Sequence, residues 1–140
     1  MPAHAYHNLE IVTLYPWSQG KCLIWDYTCR DTLAPSNFMS TSQETGSAAL
    51  KAEQDKRTHY EDLTRSYTFI PVGTETLGSW GPSGMKFVKE IGQRIQAHSG
   101  EQQSTNYLFQ AISMAIQRGN ATSIQGSVPD SKTLDEIFYL

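Results

Sequence analysis

The stretch from residue 21 to residue 32, K-C-L-I-W-D-Y-T-C-R-D-T, is a run of apolar and β-favouring residues with one carboxylate, Asp26, in its middle. A nearly continuous apolar run of this length predicts a strand covered on both faces, which we place at residues 22–29. Upstream, the β-branched and apolar residues 9–15 predict another strand. The turn-like residues 16–20 between them contain Pro16 and Gly20, so the two strands are predicted to form a hairpin.

The rest of the chain alternates helical and extended patterns. Residues 30–45 show no periodicity and are predicted to be a long loop. A helix over residues 47–63, a strand over 67–72, and helices over 83–98 and 105–118 follow. The predicted order is β-β-α-β-α-α, an α/β domain in which a small mixed sheet is flanked by helices.

Local signals set the predicted ends of these elements. Ser47 is the expected N-cap of the first helix. Pro71 either ends the third strand or marks it as a sheet edge. Gly119 and Asn120 are expected to stop the last helix. Along the first helix, one stripe should face the core and the opposite side should face solvent. The core stripe is Ala49, Ala52, Lys56, Tyr60 and Leu63, and the solvent side includes Glu53 and Asp55.

Composition limits the function classes. The chain has 140 residues, enough for one domain with a real core, and its net charge of −3 argues against a broad basic nucleic-acid footprint. No apolar run is long enough to cross a bilayer, and the N-terminal residues lack a signal-peptide pattern. We therefore expect an intracellular protein without membrane association. Cys22 and Cys29 point to opposite strand faces and are expected to be unpaired core residues.

Asp26 is the first residue with a chemical signature, because a carboxylate in an apolar strand is unfavourable unless it is paired, hydrogen-bonded or bound to a metal. The alternative is a strand-end carboxylate that caps a loop or pairs with Arg30. Glu10, on the preceding strand, is the candidate partner acid. Two converging carboxylates suit Mg²⁺, with Mn²⁺ as a second choice. The alternative for Glu10 is a solvated residue at the start of its strand.

Two lysines and one further acid complete the candidate site. Lys56, on the core stripe, and Lys51, one turn earlier, are the candidates for holding a water or stabilising a phosphate. Glu75, after the third strand, is a possible further metal ligand. The bland alternatives are solvated lysines and a loop carboxylate.

Several blocks of the sequence resemble a segment that lies C-terminal to the polymerase in invertebrate retroelement reverse-transcriptase polyproteins. They are L-I-W-D-Y-T-C-R-D-T-L-A-P-S at residues 23–36, Y-T-F-I-P-V-G-T-E-T-L-G-S-W-G-P at 67–82 and A-I-S-M-A-I-Q-R-G-N-A at 111–121. The resemblance covers roughly residues 9–124. That segment is in turn similar to restriction-like endonuclease domains.

The resemblance implies two acidic metal ligands and a lysine on a β-β-α-β core. Asp26 matches the second acid, whereas the first, usually Asp after Pro, falls on Glu10 after Leu9. Thr28 occupies the position where the lysine is expected. In some members the following helix supplies that lysine, which favours Lys56, or otherwise Lys51.

Our first hypothesis is therefore a restriction-endonuclease-like domain over residues 9–124 that uses Mg²⁺ to cleave DNA for element insertion. The resemblance further implies a polymerase domain in the same parent polyprotein and a nuclear site of action. Residues 1–8 form a lead-in, and residues 125–140 form a polar tail with a short docking segment. The second hypothesis is a catalytically degenerate module that binds nucleic acid or protein.

Overall fold

The computed structural model describes residues 11–127. Strands and helices alternate along them in the order β-β-α-α-β-α-α. The strands are β1 (Ile11–Ser18), β2 (Lys21–Arg30) and β3 (Thr68–Glu75). The helices are α1 (Pro35–Gln43), α2 (Ser47–His59), α3 (Pro82–Ser99) and α4 (Ser104–Ser127), with a 3₁₀ turn at Glu61–Arg65.

The sheet has the order β1-β2-β3, with β1 antiparallel and β3 parallel to β2. The predicted hairpin is confirmed, and its turn residues Gln19 and Gly20 both have positive φ (49° and 73°), as a tight hairpin turn requires. The crossover from β2 to β3 runs through α1 and α2, which is how a parallel pair is normally connected. The predicted mixed α/β class is confirmed at this level.

Both faces of β2 are covered, as its apolar run predicted. Leu23 packs with Val72 and Phe87, on the face covered by α3. Ile24 points to the other face and packs with Phe69 and Tyr60, at the end of α2. All three tryptophans pack against the Leu23 cluster: Trp17, Trp25 and Trp80.

The predicted loop over residues 30–45 is wrong in part, because it contains α1. Pro35 occupies the first turn of this helix, where its missing N–H and fixed φ are tolerated. The helix buries no residue, which explains why it leaves no apolar stripe in the sequence. The N-cap of α2 is Gly46 rather than Ser47, and α2 ends at His59, earlier than predicted.

Two further boundaries differ from the prediction. β3 runs through Pro71 to Glu75, and because β3 lies at a sheet edge, the edge interpretation of Pro71 is confirmed. α4 continues through Gly119 to Ser127. The side-chain amide of Asn120 donates to the Thr76 carbonyl (2.7 Å), a tertiary contact within the segment predicted to be a stop.

The cysteines are both unpaired, as predicted, but Cys29 is exposed rather than part of the core, and Cys22 is half-buried. Within residues 11–127, no helix combines the length and apolarity needed to cross a membrane. The lead-in at residues 1–8 and most of the tail at residues 125–140 lie outside the described residues.

A glycine sets the approach of the last two helices. A Cβ added to Gly92 of α3 would lie 2.3 Å from Thr105 Oγ1 and 2.7 Å from Thr105 Cα on α4. Replacing Gly92 with alanine should therefore push α4 away and lower the free energy of unfolding by about 1–3 kcal/mol. Urea denaturation measures this change.

Gly119 of α4 provides the control, because an added Cβ there has no atom within 4 Å. Gly119→Ala should raise the free energy of unfolding by up to about 1 kcal/mol through helix propensity alone. Equal effects of the two substitutions would contradict the close approach of α3 and α4.

Candidate active site

The centre of the candidate site is an ion pair between the sheet and α2. Asp26 Oδ2 lies 2.9 Å from Lys56 Nζ, and their side chains are 2% and 20% exposed. Apart from this ion pair, Asp26 Oδ2 accepts no hydrogen bond from the described residues. The lysine charge therefore compensates a carboxylate that would otherwise be buried alone.

The helix stripe explains why Lys56 rather than Lys51 reaches Asp26. Ala49, Ala52 and Tyr60 of the predicted stripe are buried, which confirms the inward side of α2. Lys56 shares this side, and its Nζ lies 5.9 Å from the centroid of the Tyr60 ring. Lys51 is exposed. Of the two predicted lysines, the structure brings only Lys56 to the acid.

Glu75 lies away from Asp26. In the parallel register Asp26 is opposite Pro71, whereas Glu75 is opposite Arg30, four residues further along. At a rise of about 3.3 Å per residue, this separates the two acids by about 13 Å along the strands. Shared coordination of one Mg²⁺ would require both carboxylates within a few ångströms of it. The structure does not bring these two predicted ligands together.

The Glu75 carboxylate instead faces the N-terminus of α2. It is fully buried, and its Oε2 accepts from the backbone N–H of Ala49 at 3.4 Å. A negative charge is favourable at this position, because the first amides of a helix have no partner within the helix. Its Oε1 has no hydrogen-bond partner in the part of the chain that the structure describes.

Sequence reasoning missed Glu53, which was expected on the solvent side of α2. It is 3% exposed, and its carboxylate accepts three backbone hydrogen bonds. The donors are the N–H groups of Gly73 on β3 (3.0 Å) and of Ser83 (2.9 Å) and Gly84 (2.7 Å) in the first turn of α3. Glu53 therefore caps α3 from another helix and joins α2, β3 and α3.

The signal that could have revealed Glu53 lies in the sequence around Gly81. The N-cap of α3 is Gly81, which has no side chain to cap the helix. A Cβ at Gly81 would lie 2.3 Å from Glu53 Oε1, so only glycine leaves room for the carboxylate. A helix that begins G-P-S-G has no capping side chain of its own, so another element must supply the acceptor for its first N–H groups.

The opposite face of the sheet carries a second polar contact. The Tyr27 hydroxyl lies 2.8 Å from Thr74 Oγ1. Burial raises the pKa of Tyr27; the hydrogen bond to Thr74 opposes this shift and the neighbouring Cys29 adds to it. At neutral pH the phenol is protonated, so this face presents no anion from Tyr27 to a metal.

The predicted magnesium ligands are Asp26, Glu10 and Glu75. Glu10, the predicted partner of Asp26, lies outside the described residues. Within residues 11–127, no three His, Cys, Asp or Glu side chains are grouped so as to hold a metal ion. Asp26 is one carboxylate, the lower end of the one or two that Mg²⁺ usually takes from a protein beside waters and substrate phosphates. Within residues 11–127, the predicted ligands thus do not form a metal site by themselves.

Comparison of the chain with protein-family models, curated proteins and solved structures finds no match in any of the three.

Proposed function

We propose that the chain is a restriction-like endonuclease domain of a retroelement, which cleaves a DNA phosphodiester with the help of a divalent metal. The observation that carries the proposal is the 2.9 Å contact between Asp26 and Lys56. It joins an acid on the second strand of a hairpin to a lysine on α2, the second helix after that strand. In some members of the family that the sequence resembles, a helix supplies the lysine in this way. The parent polyprotein would also contain a polymerase domain.

In this proposal Glu10 supplies the second carboxylate for Mg²⁺ or Mn²⁺. Ile11, the residue after Glu10, pairs with Trp25, the residue before Asp26. The described part of β1 therefore begins beside the residue that precedes Asp26. A bound divalent ion would polarise the phosphate and lower the pKa of a water.

The role of Lys56 follows from its charge and position. Its ammonium group already balances Asp26, and only a fifth of its side chain is exposed. A cation held by an ion pair in a low-dielectric site stabilises negative charge developing on a phosphate more strongly than one in water. Lys56 is therefore assigned to orient the hydrolytic water and stabilise that charge.

A plasmid-nicking assay with Mg²⁺ or Mn²⁺ tests the proposal. Asp26→Asn and Lys56→Arg should each lower the nicking rate by about 100-fold or more, because one removes a ligand and the other the compact ammonium group. Lys56→Arg keeps a cation beside Asp26, so its fold should survive, which circular dichroism checks. Lys51→Met is the matched control on the same helix and should nick at the wild-type rate. Nicking that survives Asp26→Asn would overturn the assignment.

The burial of the Asp26–Lys56 ion pair favours a second candidate function, a non-catalytic binding module. Asp26 is 2% exposed and its charge is already neutralised by Lys56. Two further buried acids, Glu53 and Glu75, are directed at helix N-termini. Wild-type protein that binds DNA but does not nick it with either metal would support this candidate.

A further inference from the structure

Helix α1 turns polar side chains towards the protein and large apolar side chains towards solvent. Asn37 and Thr41, one turn apart, are half-buried, and their side chains donate to backbone carbonyls of the segment that follows β2. Phe38 and Met39 are 52% and 70% exposed. Since a helix turns by about 100° per residue, Met39 lies on the side opposite Asn37 and Thr41. A surface helix that packs through its apolar side has the reverse arrangement.

Two exposed leucines lie next to this helix. Leu33, in the turn before α1, is 59% exposed, and Leu77, after β3, is 62% exposed. The backbone N–H of Leu77 donates to Thr32 Oγ1 at 3.2 Å, so both leucines lie beside the same threonine. We refer to Leu33, Phe38, Met39 and Leu77 as the α1 surface. Grouped exposed apolar side chains mark interaction sites, whereas single ones do not.

The C-terminal part of α4 lies at the same end of the sheet. Asn120 donates to the Thr76 carbonyl at 2.7 Å, and the Thr76 hydroxyl accepts from the backbone N–H of Thr32 at 3.1 Å. The Thr32 carbonyl in turn accepts from the Thr41 hydroxyl of α1 at 2.8 Å. Consecutive hydrogen bonds thus connect α4 to α1. The described part of α4 ends at Ser127, about 10 Å beyond Asn120 along the helix.

We propose that residues 134–140 of the same chain, L-D-E-I-F-Y-L, dock on the α1 surface. This segment lies outside the described residues and holds most of the apolar residues of the C-terminal tail. Leu134, Ile137 and Phe138 have the i, i+3, i+4 spacing of one helix face. Residues 128–134 can extend by up to about 23 Å, more than twice the length of α4 beyond Asn120. The segment can therefore return to α1.

The short connection favours the chain's own tail over a second copy of the protein. A segment tethered by a few residues has a local concentration on the order of millimolar at its docking site. A second copy at micromolar concentration competes poorly with it. The proposal does not rest on the nuclease assignment, because neither Asp26 nor Lys56 belongs to the α1 surface.

Photo-cross-linking of the full chain, with p-benzoylphenylalanine in place of Phe138, tests the docking. Trypsin cleaves after Arg30, Lys51 and Lys132, so residues 31–51, which include α1, form one peptide and residues 133–140 another. Irradiation should join these two peptides within one chain. Phe38→Glu should lower the yield of this product about tenfold, because a carboxylate is unfavourable against buried apolar side chains.

Ile95→Glu is the matched control. Ile95 is 43% exposed in an apolar groove of about 400 Å³ beside Trp17, at the hairpin end of the sheet. This substitution should leave the yield unchanged, and an equal loss with Phe38→Glu and Ile95→Glu would contradict the docking. The proposal would also be overturned by a cross-linked dimer whose yield rises with protein concentration. A main product on any peptide other than 31–51, or no product, would overturn it as well.

Discussion

Replacing Glu53 with glutamine is expected to lower the free energy of unfolding by about 3 kcal/mol, measured by urea denaturation. The carboxylate accepts from Gly73, Ser83 and Gly84 with both of its oxygens. An amide keeps one acceptor and turns an NH₂ group towards a backbone N–H, which leaves buried donors unsatisfied. Hydrogen bonds to a charged group contribute about 1.5–3 kcal/mol each. The expected decrease in the free energy of unfolding is therefore larger than that of a substitution at an exposed surface residue.

The matched control for Glu53 is Asp55, two residues away on the same helix. Its side chain is 57% exposed and lies 3.9 Å from Arg30. Asp55→Asn should change the free energy of unfolding by less than about 0.5 kcal/mol, since exposed ion pairs contribute little. A Glu53→Gln variant as stable as Asp55→Asn would contradict the capping role.

Lys56→Met is the other substitution with a large expected effect. It leaves Asp26 as an uncompensated buried carboxylate, and breaking a buried pair in this way costs about 3–5 kcal/mol. The double variant Asp26→Leu/Lys56→Met removes both charges and should lie much closer to the wild type. Urea denaturation of the single and double variants provides a double-mutant cycle.

The cycle separates a true pair from two independent residues. A coupling energy above about 1 kcal/mol is expected for side chains in contact, whereas effects that add within about 0.5 kcal/mol would show that Asp26 and Lys56 act independently. Lys51→Met, on the exposed side of α2, should leave the free energy of unfolding nearly unchanged.

The elements that local pattern determines were predictable from the sequence. The continuous apolar run of residues 22–29 indicated a strand covered on both faces, and Leu23 and Ile24 confirm it. The helix stripe placed Lys56 on the inward side of α2, where it meets Asp26. In each case the side-chain periodicity of a single strand or helix determines which residues face the core.

The remaining features depend on contacts between elements distant in sequence. Glu53 lies outside the core stripe of α2. It is buried because β3 and the first turn of α3 donate hydrogen bonds to its carboxylate, and the sequence of α2 does not encode these contacts. α1 has no buried residue, so hydrophobic periodicity cannot reveal it. The extension of α4 past Gly119 accompanies a contact between Asn120 and Thr76, which no local stop signal encodes.

In the proposed function Asp26 is a ligand of the divalent metal, and metal binding tests this role without relying on cleavage. Titration of the protein with Mn²⁺, followed by electron paramagnetic resonance, should show one bound ion. Asp26→Asn and Glu10→Gln should each weaken this binding by about tenfold or more. Glu90→Gln, which changes a partly exposed acid on α3, should not weaken it. Mn²⁺ binding that is unchanged in Asp26→Asn would contradict the account.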